Sequence, residues 1–203
     1  MCHFINNDLI ERKYHRMICL RPILEGELEM IMHWRMLPNI TKFMYSDPVL
    51  TLETQLEWFQ KSKYDTGNIH FMIEYDNKPV GILNITDIDR SHQRCEWGYY
   101  IAAKEKPSLK QILALEWNLY DYVFYTLGLN KVCGEVFAFN KAVIRMHQMC
   151  GSTIEGTRKN HIYKNGQFYD VVEMGICKDD WEQIRSRYHY EKIPFQSPEN
   201  FIS

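Results

Sequence analysis

Two side chains in this sequence have the type and setting for proton chemistry. His147 lies two turns into a short helical pattern, "FNKAVIRMHQMCG" (residues 139–151), which follows an extended apolar run and stops at Gly151. An imidazole, with an unperturbed pKa of about 6.5, both gives and takes a proton near neutrality. Glu96 lies in the alternating stretch "RCEWGYYIA" (94–102), where a regular strand puts it on the face of Tyr100. A carboxylate there can serve as a base, directly or through a water. The plainer alternatives are a hydrogen-bonded helix histidine and a salt-bridged strand carboxylate.

Other polar residues invite the same two-sided reading. Asn84 and Thr86 fall on a strand face otherwise made by Val80 and Ile82, and polar groups on an apolar face need partners. They contact a substrate hydroxyl or phosphate, or they mark a solvated strand end. Arg35 ends a helical pattern in "HWRMLPN". Its guanidinium fork suits a diphosphate, and equally a helix C-terminus favours a cation. Tyr45 and Tyr100 supply an aromatic wall or core packing. Asn140 is expected to N-cap the His147 helix. Ser108 and Gln111 form an S-x-x-Q capping box among three lysines, Lys104, Lys106 and Lys110. None of the six cysteines forms a C-x-x-C pair, which argues against a zinc site or disulfide framework and for reduced, structural thiols. No metal is expected.

The elements that must position these residues follow from periodicity. "MICLRPIL" is a strand, and a helical pattern runs on to about Leu37. "LPNITKFMYSDP" is expected to be a loop. Thr51 can N-cap "LETQLEWFQKSKY". Three alternating strands follow: Ile69, Phe71, Ile73 and Tyr75 share a face of the first, and Val80, Ile82, Asn84 and Thr86 a face of the second. Leu113, Trp117, Tyr120, Phe124 and Leu127 recur at helical spacing and stop before Gly128. "KVCGEVFAF" is a strand, then comes the His147 helix, then a hairpin turning on Asn165-Gly166. A last helical segment surrounds Trp181, and residues 193–203 read as a loose tail. The order β-α-α-β-β-β-α-β-α-β-β predicts an α/β (α+β) layer with a mixed sheet of about seven strands.

The 203 residues fit a single domain, 1–203, and 45% hydrophobic residues suffice for a core. A formal charge of −2 and a pI near 6.4 give no nucleic-acid footprint. No segment reaches the ~20 apolar residues of a membrane span, and the N-terminal stretch has no apolar run of the kind a secretory signal needs. A cytoplasmic protein is expected.

"CEWGYYIA" followed by a long helix, "FNKAVIRMHQMCGSTIEG" and "YKNGQFYDVVEMGI" together resemble the GNAT superfamily of acetyl-CoA-dependent N-acetyltransferases, over nearly the whole chain. They look like its branch of ribosomal-protein alanine and spermidine acetyltransferases. "WRMLPNITKFMYSDPVLTLETQLEWF" is similar to the sugar-nucleotide N-acetyltransferases of pseudaminic acid biosynthesis, which serve flagellin glycosylation. The resemblance implies a GNAT fold, with a mostly antiparallel sheet flanked by helices, and acetyl-CoA as co-substrate. It implies an amine acceptor, here the 4-amino group of a UDP-linked amino-dideoxy sugar, in a direct-transfer ternary complex. Peptide N-termini and polyamines are the alternative acceptors. A homodimer is compatible.

The resemblance also assigns roles. His147 stands where the family usually has a tyrosine, the acid that protonates the departing thiolate, and Glu96 would take the proton from the ammonium. Gly98, Tyr99 and Ile101 would receive the pantetheine arm like an added strand, with Asn140 beside it. Arg35, Tyr45, Asn84, Thr86 and Tyr100 would meet the acceptor. One departure stands out. The family's glycine-rich pyrophosphate loop is replaced by "AAKEKPSLKQIL", which has no glycine. Lys104, Lys106, Ser108 and Lys110 would then have to replace the backbone cradle. The missing glycines leave a non-catalytic GNAT-like binding module as the alternative of another class.

Overall fold

The computed structural model describes residues 17–196. Strand β1 (Ile18–Pro22) leads through a 3₁₀ turn to helices α1 (Leu28–Arg35), α2 (Pro38–Thr41) and α3 (Leu52–Ser62). Strands β2 (Ile69–Tyr75), β3 (Lys78–Asp89) and β4 (Arg94–Ile101) form a meander. Helix α4 (Leu109–Asp121) runs on through a π turn at Tyr122–Thr126. Then come β5 (Lys131–Phe137), α5 (Lys141–Met149), the hairpin β6 (Thr153–Lys164) and β7 (Gln167–Cys177), and α6 (Lys178–Ile184). The expected order holds, with one addition. Inside the stretch read as a loop, Pro38 takes the first turn of a four-residue helix. Proline has a preset φ and loses no needed donor there.

Local signals act where expected. Thr51 caps α3, accepting from the Thr54 amide at 3.2 Å. Ser108 and Gln111 close their capping box at the start of α4. Asn165 and Gly166 both have positive φ, 49° and 81°, at the tip of the β6–β7 hairpin, as a type I′ turn requires.

The sheet order is β1-β2-β3-β4-β5-β7-β6. Every pairing is antiparallel except β4 with β5. One face packs on α4 and α6 through Leu20, Phe71, Leu83, Leu115, Tyr120, Phe124 and Trp181. On the other, α1, α2 and α3 cover Met72, Ile82 and Tyr100. Each fully buried large side chain contributes roughly 1.5–3 kcal/mol, so the two layers fix the pitch of β4, which lies between them. Of the helical stripe, Trp117, Tyr120, Phe124 and Leu127 are buried and Leu113 packs against the same cluster.

Two expectations change. Val80 does not share the face of Ile82 and Asn84. Gly81 pairs with Ile73 but Pro79 with Glu74, so residue 80 is an extra one; such a bulge reverses the side-chain alternation, and Val80 joins the α4-side core. The tail is not loose over residues 193–196. Phe195 forms a bridge with Leu20 and stacks on Tyr122 at 4.4 Å between ring centres. Residues 197–203 and 1–16 lie outside the described residues, and so does Cys2.

Candidate active site

The feature that organises the site is the single parallel pairing. β4 and β5 pair only from Arg94↔Lys131 to Glu96↔Cys133. Beyond Glu96 the strands part. Residues 97–101 stay paired with β3, and residues 134–137 with β7. The facing strand edges thus leave a wedge in the sheet, and a cavity of about 550 Å³ lies there. Its walls include Trp97 to Ile101 from β4, Gly134 to Phe137 from β5, Asn140, Val143 and His147 from the α5 region, and Asn39, Ile40, Phe43 and Met44 around α2.

His147 lines this cavity, two turns into the helix that starts after Asn140. Its Nδ1 lies 3.0 and 2.9 Å from the two carboxylate oxygens of Glu116. The Trp97 ring meets the imidazole edge-on at 5.3 Å. Glu116 comes from α4, its side chain is 1% exposed, and the Tyr120 hydroxyl donates to it as well. Sequence reading missed this glutamate. The available signal was a lone carboxylate in "ILALEWNLY", a largely apolar helical stretch.

On β4, Cys95, Trp97, Tyr99 and Ile101 point to the α4 side, while Tyr100 points to the α1–α3 side. Glu96 therefore shares the face of Gly98 and Tyr100, as a regular strand requires. It pairs across to Thr86 and Cys133 and sits beside the cavity rather than on its wall. Burial, then the Glu135 and Asp87 carboxylates, push its carboxyl above the ordinary carboxylate range. Glu135 itself is engaged: it accepts from the Tyr45 hydroxyl at 2.6 Å and pairs with Arg158 at 2.9 Å, and Arg158 also binds Glu173.

Gly98, Tyr99, Ile101, Lys106, Asn140, Asn84, Tyr100 and His147 all lie on the cavity wall. Glu96, Lys104, Ser108, Lys110, Arg35, Tyr45 and Thr86 do not. Arg35 instead directs its guanidinium at the Met44 sulfur, behind the wall. Asn84 Oδ1 accepts from His70 Nδ1 at 2.8 Å, which answers its need for a partner. Asn140 holds the N-cap position of α5 but makes no side-chain cap bond; its side chain is left to the cavity. Phe43, Phe137 and Trp97 are wall residues that the sequence reading passed over.

The loop after β4 shows how the missing glycines matter. The amides of Ala102 and Ala103 both donate to the Val80 carbonyl, at 2.8 and 3.1 Å. The Ser108 amide donates to Gln111 Oε1 at 2.9 Å, and the Gln111 amide to Ser108 Oγ. Four donors are therefore spent within the protein. Lys104, Lys106 and Lys110 form no ion pair among the described residues, and Lys106 reaches the cavity mouth. Side-chain charge thus stands where backbone donors are spent. Two candidate nucleophiles are disarmed: burial pushes the Cys95 thiol up to about 12 and raises that of Cys150 as well.

The family described as "Acetyltransferase (GNAT) domain" matches residues 17–153, the stretch from β1 to the start of β6. The chain belongs to the GNAT acetyltransferases. It is an N-acetyltransferase that uses acetyl-CoA. Among relatives, acetyltransferase PseH of Campylobacter jejuni strain 81-176 is 28% identical over 154 residues, covering 75% of this chain and 89% of PseH. Spermidine N(1)-acetyltransferase of Vibrio cholerae is 24% identical over 165 residues, covering 81% and 95%. The crystal structure of the Vibrio cholerae spermidine N-acetyltransferase in complex with CoA and spermine has the same GNAT fold. Its TM-score is 0.75 at 23% identity, over 81% of this chain and 98% of that one. Among the described residues of this GNAT chain, no group of three or more His, Cys, Asp or Glu could hold a metal. No helix among them is long and apolar enough to cross a membrane.

Proposed function

We propose that this enzyme acetylates the amine of a nucleotide-linked sugar, the 4-amino group of a UDP-linked amino-dideoxy sugar of the pseudaminic acid pathway. The observation that carries this reading is the acceptor end of the cavity. It is built from aromatic and amide side chains, Phe43, Tyr100, Phe137, Asn39 and Asn84, and from one carboxylate, Glu135, already engaged by Arg158 and Tyr45. A polyamine needs several unengaged carboxylates along its length. A pyranose ring and a flat base need ring faces and amides. A second recess shares Phe137 and adds Phe139, Tyr169 and Lys42, and the Phe137 and Phe139 rings stack at 5.0 Å. The resemblance of "WRMLPNITKFMYSDPVLTLETQLEWF" to sugar-nucleotide N-acetyltransferases supports the same acceptor class.

In the proposed mechanism acetyl transfer is direct, which agrees with the raised thiols of Cys95 and Cys150. Glu96 removes a proton from the ammonium, through a water because it stands behind the wall. The unpaired edge at Gly98, Tyr99 and Ile101 receives the pantetheine arm, Asn140 binds it alongside, and amides of that edge polarise the thioester carbonyl. His147 gives a proton from Nε2 to the leaving sulfur. Lys106, with Lys104 and Lys110, neutralises the pyrophosphate. Arg35 orders the α1–α2 corner behind Tyr100 and Met44, a supporting role in place of the diphosphate contact expected from sequence.

The test is acetyl-CoA-dependent release of CoA with UDP-4-amino sugars, spermidine and N-terminal peptides as parallel acceptors. The UDP-amino sugar should show the highest kcat/KM. Preference for spermidine or a peptide by more than about tenfold, roughly 1.4 kcal/mol in transition-state binding, would reject this acceptor.

A further inference from the structure

We infer that Glu116 is a positioning residue for proton delivery: it holds His147 in the tautomer that carries hydrogen on Nδ1, so that Nε2 is the nitrogen serving the leaving sulfur. This rests on the proposal that His147 is the acid. Glu116 has no role in the protein's surface or in substrate contact, since its side chain is 1% exposed and off the cavity wall. Burying a carboxylate is costly unless donors meet it. Here the donors converge from two helices: the Tyr120 hydroxyl, the Cys150 thiol and His147 Nδ1. An ionised carboxylate only accepts, so its nearly symmetric 3.0 and 2.9 Å contacts require a hydrogen on Nδ1.

The ring is also held against rotation. Trp97 meets it edge-on at 5.3 Å, and Nε2 has no partner among the described residues although the ring lines the cavity. The other titratable groups packed around the dyad are Tyr99 from β4, Tyr120 from α4, Cys150 from α5 and Tyr188 beyond α6. Burial raises all four above their ordinary values, so none of the four brings a charge to the dyad near neutrality. When the carbon–sulfur bond breaks, the sulfur keeps the electron pair and takes the Nε2 proton. The imidazolium becomes a neutral imidazole that still donates Nδ1–H to Glu116. A proton released by the acceptor nitrogen on acetylation balances the one consumed. A carboxylate that fixes a histidine's tautomer through its other nitrogen is a known way to orient a proton carrier.

Glu116→Gln keeps the shape but lets the amide bind either tautomer. It should lower kcat roughly 10- to 100-fold, by analogy with the range for groups that orient metal-bound histidines, with acetyl-CoA affinity nearly intact. In a His147→Tyr background the same change should alter kcat less than about twofold, because the group it acts through is gone. ¹⁵N NMR of the wild-type ring should show hydrogen on Nδ1 in the neutral form, and a mixture in Glu116→Gln. An equal loss in both backgrounds would make Glu116 merely structural. A wild-type ring with hydrogen on Nε2 alone would overturn the inference even if Glu116→Gln failed to fold. A His147→Phe variant with unchanged kcat would instead reject the acid itself, and the positioning role with it.

Discussion

His147 and Glu96 face different demands, and their surroundings separate them. His147 is anchored through one nitrogen with the other left to the cavity. Removing the proposed acid by His147→Phe should lower kcat by roughly 10²- to 10⁴-fold. Equilibrium binding of acetyl-CoA should hardly change, and His147→Tyr should recover much of the rate. Steady-state kinetics with a parallel binding titration checks this. Glu96 is strained electrostatically: burial and the Glu135 and Asp87 charges disfavour its ionised form. A carboxyl whose folded pKa is raised contributes stability below its unfolded pKa, about 4.3, and loses it as pH rises through the folded value. At neutral pH Glu96→Gln should therefore melt at a higher temperature than the wild type. The gap should close by about pH 4, while the deficit in kcat/KM is largest at neutral pH and narrows in acid, where the wild-type carboxyl is protonated as well. A Gln variant that is less stable at neutral pH would show that Glu96 is there for the fold.

At the scale of elements, the positions of His147 and Glu96 were legible because each sits in a strongly periodic segment. "RCEWGYYIA" alternates, and "NKAVIRMHQM" has one apolar face, so the strand face of Glu96 and the helix of His147 followed from spacing. Val80 escaped because a bulge is a pairing property, invisible in one strand alone. Glu116 escaped because a carboxylate in a helix is ordinarily taken for a solvated one. Only its meeting with His147, 31 residues on, gives it meaning. Arg35 was assigned to the acceptor by resemblance, and the Met44 sulfur it contacts comes from a loop whose path spacing does not fix. The loop after β4 yields a prediction of its own. Lys106 lines the cavity and Lys104 does not, so Lys106→Ala should weaken acetyl-CoA binding more, by about two- to fivefold for an exposed pair. The loss should shrink with added salt. Calorimetry at two ionic strengths would decide. Gly81 gives a second. A β-carbon there would stand 2.0 Å from the Tyr100 carbonyl oxygen, so Gly81→Ala must displace β4 at the cavity wall. It should cost about 1–3 kcal/mol and reduce activity besides, as thermal melts and rates would show.

For the whole molecule, the C-terminal segment closes the back of the sheet. Asp121 at the end of α4 gathers Trp181 at 3.1 Å, Tyr190 at 2.9 Å, Arg185 at 2.8 Å and Lys192. Burial works against its charge, but the hydrogen bonds from Lys192, Arg185, Trp181 and Tyr190 hold the carboxyl below its ordinary range. The sign is opposite to that of Glu96. Stability from Asp121 is present above its unfolded pKa, about 3.9, and is lost as pH falls through the lower folded value. Asp121→Ala should cost about 1–2 kcal/mol at neutral pH, because it removes hydrogen bonds from Trp181 and Tyr190 while its ion pairs with the largely exposed Arg185 and Lys192 are screened by solvent. Denaturant titrations at pH 7 and pH 3 should show that penalty shrinking in acid.

The three-residue seam between β4 and β5 also has a dynamic side. It is the one place where a four-stranded leaf and a three-stranded leaf of the same sheet are held by so short a ladder. Amides that point into the wedge from residues 97–101 and 134–137 have no strand partner to slow their exchange with solvent, whereas those pointing to β3 and β7 do. Hydrogen exchange along β4 should therefore alternate residue by residue beyond Glu96 and lose that alternation on addition of CoA, so that the isotope pattern itself traces the length of strand edge the co-substrate occupies.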